Sequence, residues 1–215
     1  MKRIKDEFFE KLTGAISLAG KEVLEVGCGE GTRSQDIARA CKFLYGIDPS
    51  ESDINTAIER NIPNAQFSQG SAESLAFNNK TVDIVVFTLS LHHVPKALMR
   101  QSIDEALRVL RPGGWIVFLE PGMNGSLFDA EIQFDAYDGD EREVKKNAYA
   151  AMMEHPGLVL FKEIADESVF QFDSLQDFMD SMSPKKDIPA IEPFLIQHNY
   201  VLNAERRINI FQSKE

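Results

Sequence analysis

A glycine-rich turn with acidic residues around it is the part of the sequence best suited to bind a ligand. The apolar stretch 22–26 runs directly into glycines at positions 27, 29 and 31. Glycines let a backbone turn sharply after a strand and approach a ligand closely. Glu25 and Glu30 would disfavour a pyrophosphate but suit an ammonium or sulfonium group. Asp48 follows a second apolar stretch at the spacing of a carboxylate that binds ribose hydroxyls, so the pattern predicts a pocket for a positively charged adenosine-containing ligand.

The spacing of the glycines also separates two kinds of cofactor. Thr32 stands where the third glycine of a dinucleotide fingerprint would fall, which gives G-x-G-x-G rather than G-x-G-x-x-G. A nicotinamide-dependent oxidoreductase is therefore the disfavoured alternative, and Glu25 inside the strand counts against it as well. A cofactor-binding module without catalysis is a third interpretation, from a different class of protein.

A second group of reactive side chains follows two later apolar stretches. Thr88, His92 and His93 come just after residues 82–87, and Glu120 follows residues 115–119. We expect His92 to act as a general base whose imidazole Glu120 orients, with His93 beside them. In the alternative interpretation the histidines only shape a pocket. No metal site is expected, because no third ligand lies at a suitable spacing from the histidine pair.

Strands and helices alternate through the first 120 residues. The pattern predicts strands at 22–26, 43–47, 66–70, 82–87 and 115–119, and helices at 6–17, 32–40, 51–60 and 96–110. This alternation predicts an α/β fold with a mostly parallel sheet covered by helices on both faces. Extended segments are also expected at 169–172 and 201–211.

The segment after residue 122 has a different composition. A polar, acidic stretch at 124–141 precedes predicted helices at 141–155 and 175–182 and a loop at 184–193 that opens a further helix. We expect one domain, 1–215, with a cofactor-binding core at 20–120, acceptor-side additions at 121–200 and a terminal strand at 201–213. Candidate acceptor-pocket residues are Met123, Phe128, Phe134, Tyr137, Tyr149, Met152 and Met153. If two or three of Asp129, Glu131, Asp135 and Asp138 converge, a basic amine acceptor becomes plausible; otherwise they form a solvated loop.

Composition and charge narrow the classes of partner. The 215 residues carry a net charge of -11, and no stripe of lysine and arginine is present. We therefore expect no nucleic acid partner, because a polyanion would be repelled. The sequence has no apolar stretch long enough for a membrane span, and its two cysteines, Cys28 and Cys41, predict no disulfide framework. A cytoplasmic monomer or homodimer with a small-molecule substrate is expected.

Five motifs follow one another in a recognisable order: Glu25-Val-Gly-Cys-Gly-Glu-Gly31, Gly46-Ile-Asp-Pro-Ser50, Gly70-Ser-Ala-Glu73, Leu89-Ser-Leu-His-His-Val94 and Leu110-Arg-Pro-Gly-Gly114. They resemble the motifs of class I S-adenosylmethionine-dependent methyltransferases, in particular the small-molecule branch of quinone and natural-product biosynthesis. The resemblance covers residues 20–120. It implies a Rossmann-like, doubly wound sheet of seven strands with a helical and loop cover after the fifth strand. It also implies an enzyme that transfers a methyl group from S-adenosylmethionine to a small organic acceptor and releases S-adenosylhomocysteine.

The resemblance further implies a role for each residue of the pocket. Glu25 would lie near the methionine amino group, and Asp48 would bind the ribose. The backbone at Ser71 would meet the adenine edge; many relatives have an aspartate at this position, so the Ser71 hydroxyl or Glu73 must accept from the adenine amino group. Residues after the fourth strand lack the Asn/Asp-Pro-Pro-Tyr/Phe element of nucleobase and glutamine methyltransferases. The full set of expected cofactor contacts is Glu25, Gly27, Cys28, Gly29, Gly31, Asp48, Pro49, Ser71, Ala72, Glu73 and Thr88.

Overall fold

Eight strands form one continuous sheet in the computed structural model of the protein, which describes residues 1–214. Glu215, the last residue of the predicted domain 1–215, lies outside the described residues. The strands are β1 (Lys2–Asp6), β2 (Glu22–Val26), β3 (Phe43–Asp48), β4 (Ala65–Gln69), β5 (Val82–Thr88), β6 (Leu110–Pro121), β7 (Leu158–Gln171) and β8 (Val201–Ser213). Their order across the sheet is β1-β7-β8-β6-β5-β2-β3-β4.

The five neighbouring strands β4, β3, β2, β5 and β6 run parallel to one another. The chain winds outward from β2 through β3 to β4 and then returns to place β5 on the other side of β2. This reversal puts a crevice beyond the carboxyl ends of β2 and β5, which is where open α/β sheets bind ligands. The predicted mostly parallel α/β fold is confirmed.

Helices cover both faces of the sheet. They are α1 (Phe8–Ala15), α2 (Ser34–Ala40), α3 (Glu51–Glu59), α4 (Lys96–Val109), α5 (Ser126–Phe134), α6 (Arg142–Met153), α7 (Leu175–Met182) and α8 (Ile188–Gln197), with a short 3₁₀ turn at Leu91–His93 between β5 and α4. Alternate residues of the buried strands face opposite sides, so Val86 packs with Phe8 and Ile37, while Val85 packs with Met99. Among residues 1–214, no helix combines the length and the apolar character that a bilayer crossing requires.

The sheet has eight strands rather than the predicted seven, because β1 was not expected. Its sequence is mostly charged, and Ile4, its single apolar side chain, is 47% exposed. The strand forms by antiparallel pairing with residues Ser168–Gln171 of β7, at the edge of the sheet, where charged side chains are common. The helix predicted at 6–17 accordingly starts only at Phe8.

The region after β6 builds the cover over the crevice. The polar stretch at 124–141, to which no helix was assigned from the sequence, contains α5, whose buried side of Leu127, Ala130 and Phe134 joins a separate apolar cluster with Phe178 and Leu195. The strand predicted at 169–172 is the last part of the longer β7, which pairs along its whole length with β8. The predicted helix 175–182 coincides with α7.

Candidate active site

Glu25 lies near the end of β2, fully buried and held by two hydroxyl groups. Ser34 donates a hydrogen bond to one carboxylate oxygen at 2.5 Å, and Thr88 donates to the other at 2.9 Å. Burial raises the pKa of Glu25 to about 7, although both hydroxyls and the charge of Arg33 act in the opposite direction. A carboxyl group in this state becomes fully ionised beside a cationic ligand, because an opposite charge favours its charged form.

Asp48 connects the glycine turn to the end of β3. One of its carboxylate oxygens accepts from the backbone N–H of Gly29 at 2.9 Å, and the other accepts from the N–H of Ser50 at 2.9 Å. The side chain is only partly buried and keeps lone pairs for a further donor. Gly29 has a φ of +51°, and a Cβ added there would meet no atom within 4 Å, so open space lies beside the turn.

Gly27 brings the turn into contact with the residues that follow β5. Its φ is +77°, and an added Cβ would lie 2.2 Å from the Cβ of Ser90. Ser90 in turn donates a hydrogen bond from its hydroxyl to the carbonyl of Val26 at 2.7 Å. Only glycine at position 27 therefore allows the two ends of neighbouring strands to meet this closely.

The remaining predicted cofactor residues surround this centre. Cys28 is buried and its thiol pKa is raised, chiefly by burial, while Pro49 is exposed and accepts a hydrogen bond from Gln69 at its carbonyl. Gly31, with a φ of +76°, lies against α3. The stretch Ser71-Ala72-Glu73 follows β4 as a turn, with Ala72 buried. All of these residues lie beyond or beside the carboxyl ends of the parallel strands.

Glu120 and His92 form a buried pair across the ends of β6 and β5, each only 5% exposed. The His92 Nδ1 lies 2.5 Å from Oε2 of Glu120. The same carboxylate accepts from the backbone N–H of Leu91 at 2.9 Å and from those of Ser90 and His92 at 3.3 Å. Because an ionised carboxylate only accepts hydrogen bonds, Nδ1 carries the proton and Nε2 remains an acceptor.

A cavity of about 290 Å³ opens beside His92. Its apolar wall comes from the end of β5, the cover and the last strands, and consists of Leu89, Leu127, Phe128, Phe170, Met182 and Ala204. Apolar walls with a few placed polar groups are typical of small-molecule sites. The arrangement can hold an organic molecule next to a group able to accept a proton.

One charged wall of the cavity is mainly acidic. Glu131, Asp138 and Glu141 face it, and the buried Lys145 lies between two of them, 3.7 Å from Glu131 and 3.5 Å from Glu141. The Lys145 ammonium also lies 4.3 Å from the ring centre of Phe128. Burial raises the pKa of Glu131 to about 7, against the opposing effect of Lys145. Two of the four acids proposed from the sequence, Glu131 and Asp138, thus reach the cavity.

The cavity lining also includes three arginines, Arg3, Arg33 and Arg206. Asp6 pairs with Arg3 at 2.9 Å and with Arg33 at 3.0 Å. The lining of one cavity thus includes both arginine and carboxylate side chains.

His93 stacks on His92, with ring centres 4.0 Å apart, and faces Glu141 across 3.9 Å. Loss of hydration and the neighbouring His92 lower the pKa of His93. The ligand atoms of His92, His93 and Glu141 lie within 4.8 Å of one another, a clustering that spacing along the chain did not indicate. Lys145, close to Glu141, disfavours a further cation there.

The candidate acceptor residues fall into different environments. Phe128 and Tyr137 line the cavity, whereas Phe134 and Met152 are buried in apolar clusters. The other three are Met123 and Met153, which are exposed, and Tyr149, whose ring lies 5.5 Å from the guanidinium of Arg207. Asp129 and Asp135 are not among the residues around the cavity.

Sequence reasoning missed Arg33, Lys145 and Arg206. A signal for Arg206 was present, because it shares the inward side of β8 with Ile208 and Ile210 in the alternation of that strand. Lys145 occupies the buried stripe of α6 with Ala148 and Met152. In both cases the sequence signal is a charged residue at a position where the pattern of the strand or helix places buried apolar residues.

Residues 23–114 match the family model described as a methyltransferase domain. A fatty-acid O-methyltransferase from Mycolicibacterium smegmatis is 32% identical over 143 residues, which cover 62% of this chain and 52% of that protein. The chain spans about half the length of the curated relatives it matches.

Two solved structures share the fold. A Bacillus halodurans protein described as a methyltransferase superposes with a TM-score of 0.67 and 22% identity over 94% of this chain and 97% of that one. The N-methyltransferase NodS from Bradyrhizobium japonicum, in complex with S-adenosylhomocysteine, gives a TM-score of 0.60 and 18% identity over 97% and 87% of the two chains.

Proposed function

We propose that the chain is an S-adenosylmethionine-dependent methyltransferase acting on a small organic acceptor, because residues 23–114 match the model of a methyltransferase domain and the chain shares its fold with a protein described as a methyltransferase. The observation that carries the proposal is that the candidate site residues lie both within the matched residues and close together in the fold. Glu25, the glycine turn, Asp48 and His92 all fall within the matched residues and meet at the carboxyl ends of adjacent strands. The same family follows from the five sequence motifs.

The pocket suits this cofactor on its own chemistry. The open space beside Gly29 leaves room for a ligand against the backbone. We infer that Glu25 holds the ammonium of the methionine end, since its buried carboxyl gains charge next to a cation. Asp48 is positioned to accept from ribose hydroxyls, and the turn at Ser71–Glu73 would face the adenine. When bound, the cofactor supplies an electrophilic methyl group.

We infer that His92 removes a proton from the acceptor atom at Nε2. Glu120 fixes the tautomer through Nδ1 and stabilises the imidazolium that results. The cavity walls hold the acceptor in line with the methyl group, and such positioning can supply about 7–11 kcal/mol of the barrier. His93 and Glu141 border the same side of the cavity and would shape the space around the base.

The names of the relatives favour a small acceptor. The Mycolicibacterium smegmatis relative is named for a fatty acid, and a relative from Paracidovorax citrulli is named for ubiquinone biosynthesis. We propose an acceptor of this size class for the present chain. The net charge of -11 supports the absence of a nucleic acid partner. A single catalytic domain, a cytoplasmic location and a monomeric or homodimeric state remain predictions.

Titration calorimetry with S-adenosylhomocysteine and, separately, with NADH tests the proposal against an oxidoreductase. We expect saturable binding of the nucleoside and none of the dinucleotide; the reverse result would refute it. Transfer of a radiolabelled methyl group to a panel of hydroxylated, amino and carboxylic acceptors then separates an enzyme from a binding module. A protein that binds the nucleoside but labels no acceptor would support the binding module.

A further inference from the structure

Arg206 extends from the inward side of β8 into the cavity beside His92. Its Nε is buried and has no hydrogen-bond partner among residues 1–214. Its Nη1 donates to the carbonyl of Glu205 at 3.2 Å. A guanidinium carries five donors and a fixed positive charge, so this side chain is left with unsatisfied hydrogen-bonding capacity facing the cavity.

Three carboxylates near Arg206 form ion pairs with other cations within the described chain. Asp6 pairs with Arg3 and Arg33, Asp166 pairs with Lys11 at 2.8 Å, and Glu131 lies 3.7 Å from Lys145. Arg33 adds to the positive charge, and its Nε is also buried without a partner in the described part of the protein. Burial and the charge of Arg33 both lower the pKa of Arg206. Arg206 itself takes part in none of these ion pairs, so a carboxylate group that enters the cavity would satisfy its free donors.

We propose that Arg206, assisted by Arg33, binds a carboxylate group of the acceptor. The inference rests on the proposed function and names its substrate class: an organic acid with an apolar body. Guanidinium groups bind carboxylates through two parallel hydrogen bonds. The apolar wall at Leu127, Phe128 and Phe170 would receive the rest of the molecule.

The methionine end of the cofactor also carries a carboxylate and is the other source of this chemistry. The cavity wall contains none of the glycine turn 27–31, nor Asp48, nor the turn at 71–73. Apart from Arg33, which lies at the start of α2 just after the glycine turn, it consists of residues after β5 and β6, of the cover and of the first and last strands. This composition favours the acceptor as the source.

Calorimetry on the protein saturated with S-adenosylhomocysteine tests the inference, with octanoate as the probe and octanamide as its uncharged counterpart. We expect octanoate to bind at least about 10-fold more tightly, since a hydrogen bond to a charged group contributes about 1.5–3 kcal/mol. Arg206→Gln should weaken octanoate binding about 10- to 100-fold and change octanamide binding less than about 2-fold. Arg207→Gln is the matched control, because Arg207 lies on the same strand and does not line the cavity.

Equal affinities of the wild-type protein for the two probes would overturn the inference, as would equal losses in the Arg206 and Arg207 variants. A variant Arg206→Gln that loses affinity for S-adenosylhomocysteine, with octanoate binding unchanged, would assign the carboxylate to the cofactor and also overturn it. Should Arg206→Gln fail to fold, Arg206→Lys and Arg33→Gln provide the same comparison, with circular dichroism to verify folding. Absence of nucleoside binding by the wild-type protein would refute the proposed function instead, and octanoate titrated alone would still test Arg206.

Discussion

The carboxylate of Glu120 binds both the imidazole of His92 and the backbone of the turn that carries it. Its contact with Nδ1 is 2.5 Å, and its hydrogen bond from the N–H of Leu91 is 2.9 Å. The side chain therefore fixes the position of the base and its tautomer together. A reactive histidine at the end of one strand is thus held from the end of the next.

Replacement of His92 tests its role as a base. His92→Ala should lower kcat about 10²- to 10⁴-fold, the range ascribed to general acid–base catalysis, and leave the affinity for S-adenosylhomocysteine unchanged. Single-turnover methyl transfer and calorimetry measure the two quantities. His198 does not line the cavity, so His198→Asn should leave both turnover and cofactor affinity unaltered. Equal losses of turnover and cofactor affinity in His92→Ala would indicate a structural role.

Replacement of Glu120 should have a second effect that the His92 variant lacks. Glu120→Gln keeps the size of the side chain, but its amide nitrogen cannot accept the hydrogen bonds that converge on one of the two carboxylate oxygens. We expect a loss of turnover together with a free energy of unfolding lower by about 1–3 kcal/mol, since buried donors lose a charged acceptor. Urea denaturation measures the stability. A variant with wild-type turnover would contradict the orienting role.

Replacement of Asp48 tests the cofactor pocket. Asp48→Asn should weaken binding of S-adenosylhomocysteine by about 1.5–3 kcal/mol, because a charged acceptor for the ribose is lost while the side-chain shape is kept. Asp36→Asn on α2, away from the turn, is the control with the same change in charge. Unchanged affinity in Asp48→Asn would contradict the pocket assignment.

The raised pKa of Glu25 predicts a pH-dependent stability. Its value of about 7 in the folded protein exceeds the reference value of 4.5, so folding favours the protonated form. The stability from this group is complete below pH 4.5 and is lost as the pH rises through about 7. Glu25→Gln should therefore match the wild type near pH 4.5 and exceed it at pH 8 by about 3 kcal/mol, since one pKa unit corresponds to about 1.4 kcal/mol.

Thermal unfolding at the two pH values measures this difference. Glu30→Gln, which removes an exposed carboxylate from the same turn, is the control variant. The same Glu25 variant should bind S-adenosylhomocysteine more weakly at pH 8, because it has no charge for the ammonium. A Glu25→Gln protein with tighter binding than the wild type would contradict the proposed contact.

Gly27 and Gly29 provide a matched pair of variants that tests how closely the ends of β2 and β5 must approach each other. Gly29→Ala should cost about 1–2 kcal/mol through its positive φ alone, because an added Cβ meets nothing within 4 Å. Gly27→Ala should cost about 1–3 kcal/mol more, because its Cβ would overlap Ser90. Urea denaturation of both variants compares them, and equal costs would show that the contact with Ser90 adjusts freely.

The sequence predicted the parallel core far better than the edge of the sheet and the residues that line the cavity. Buried strands such as β5 consist of continuous apolar residues, and the glycine turn has a chemistry that depends on local spacing, so both can be recognised along the chain. Strand β1 exists through pairing with residues Ser168–Gln171 of β7, which come more than 160 residues later. Arg206 and Lys145 become functional candidates only when packing brings them to one cavity.

The proposed cofactor pocket and the cavity beside His92 are built from different parts of the sequence, which has a consequence for how such a protein can evolve. The residues proposed to contact the cofactor lie between positions 25 and 88, whereas most of the cavity wall comes from positions after 120. Exchange of the segment between β6 and β8 for that of a relative would thus give a new substrate range and leave the methyl donor in place. A lineage can in this way acquire new chemistry on its products through changes in one contiguous stretch of its gene.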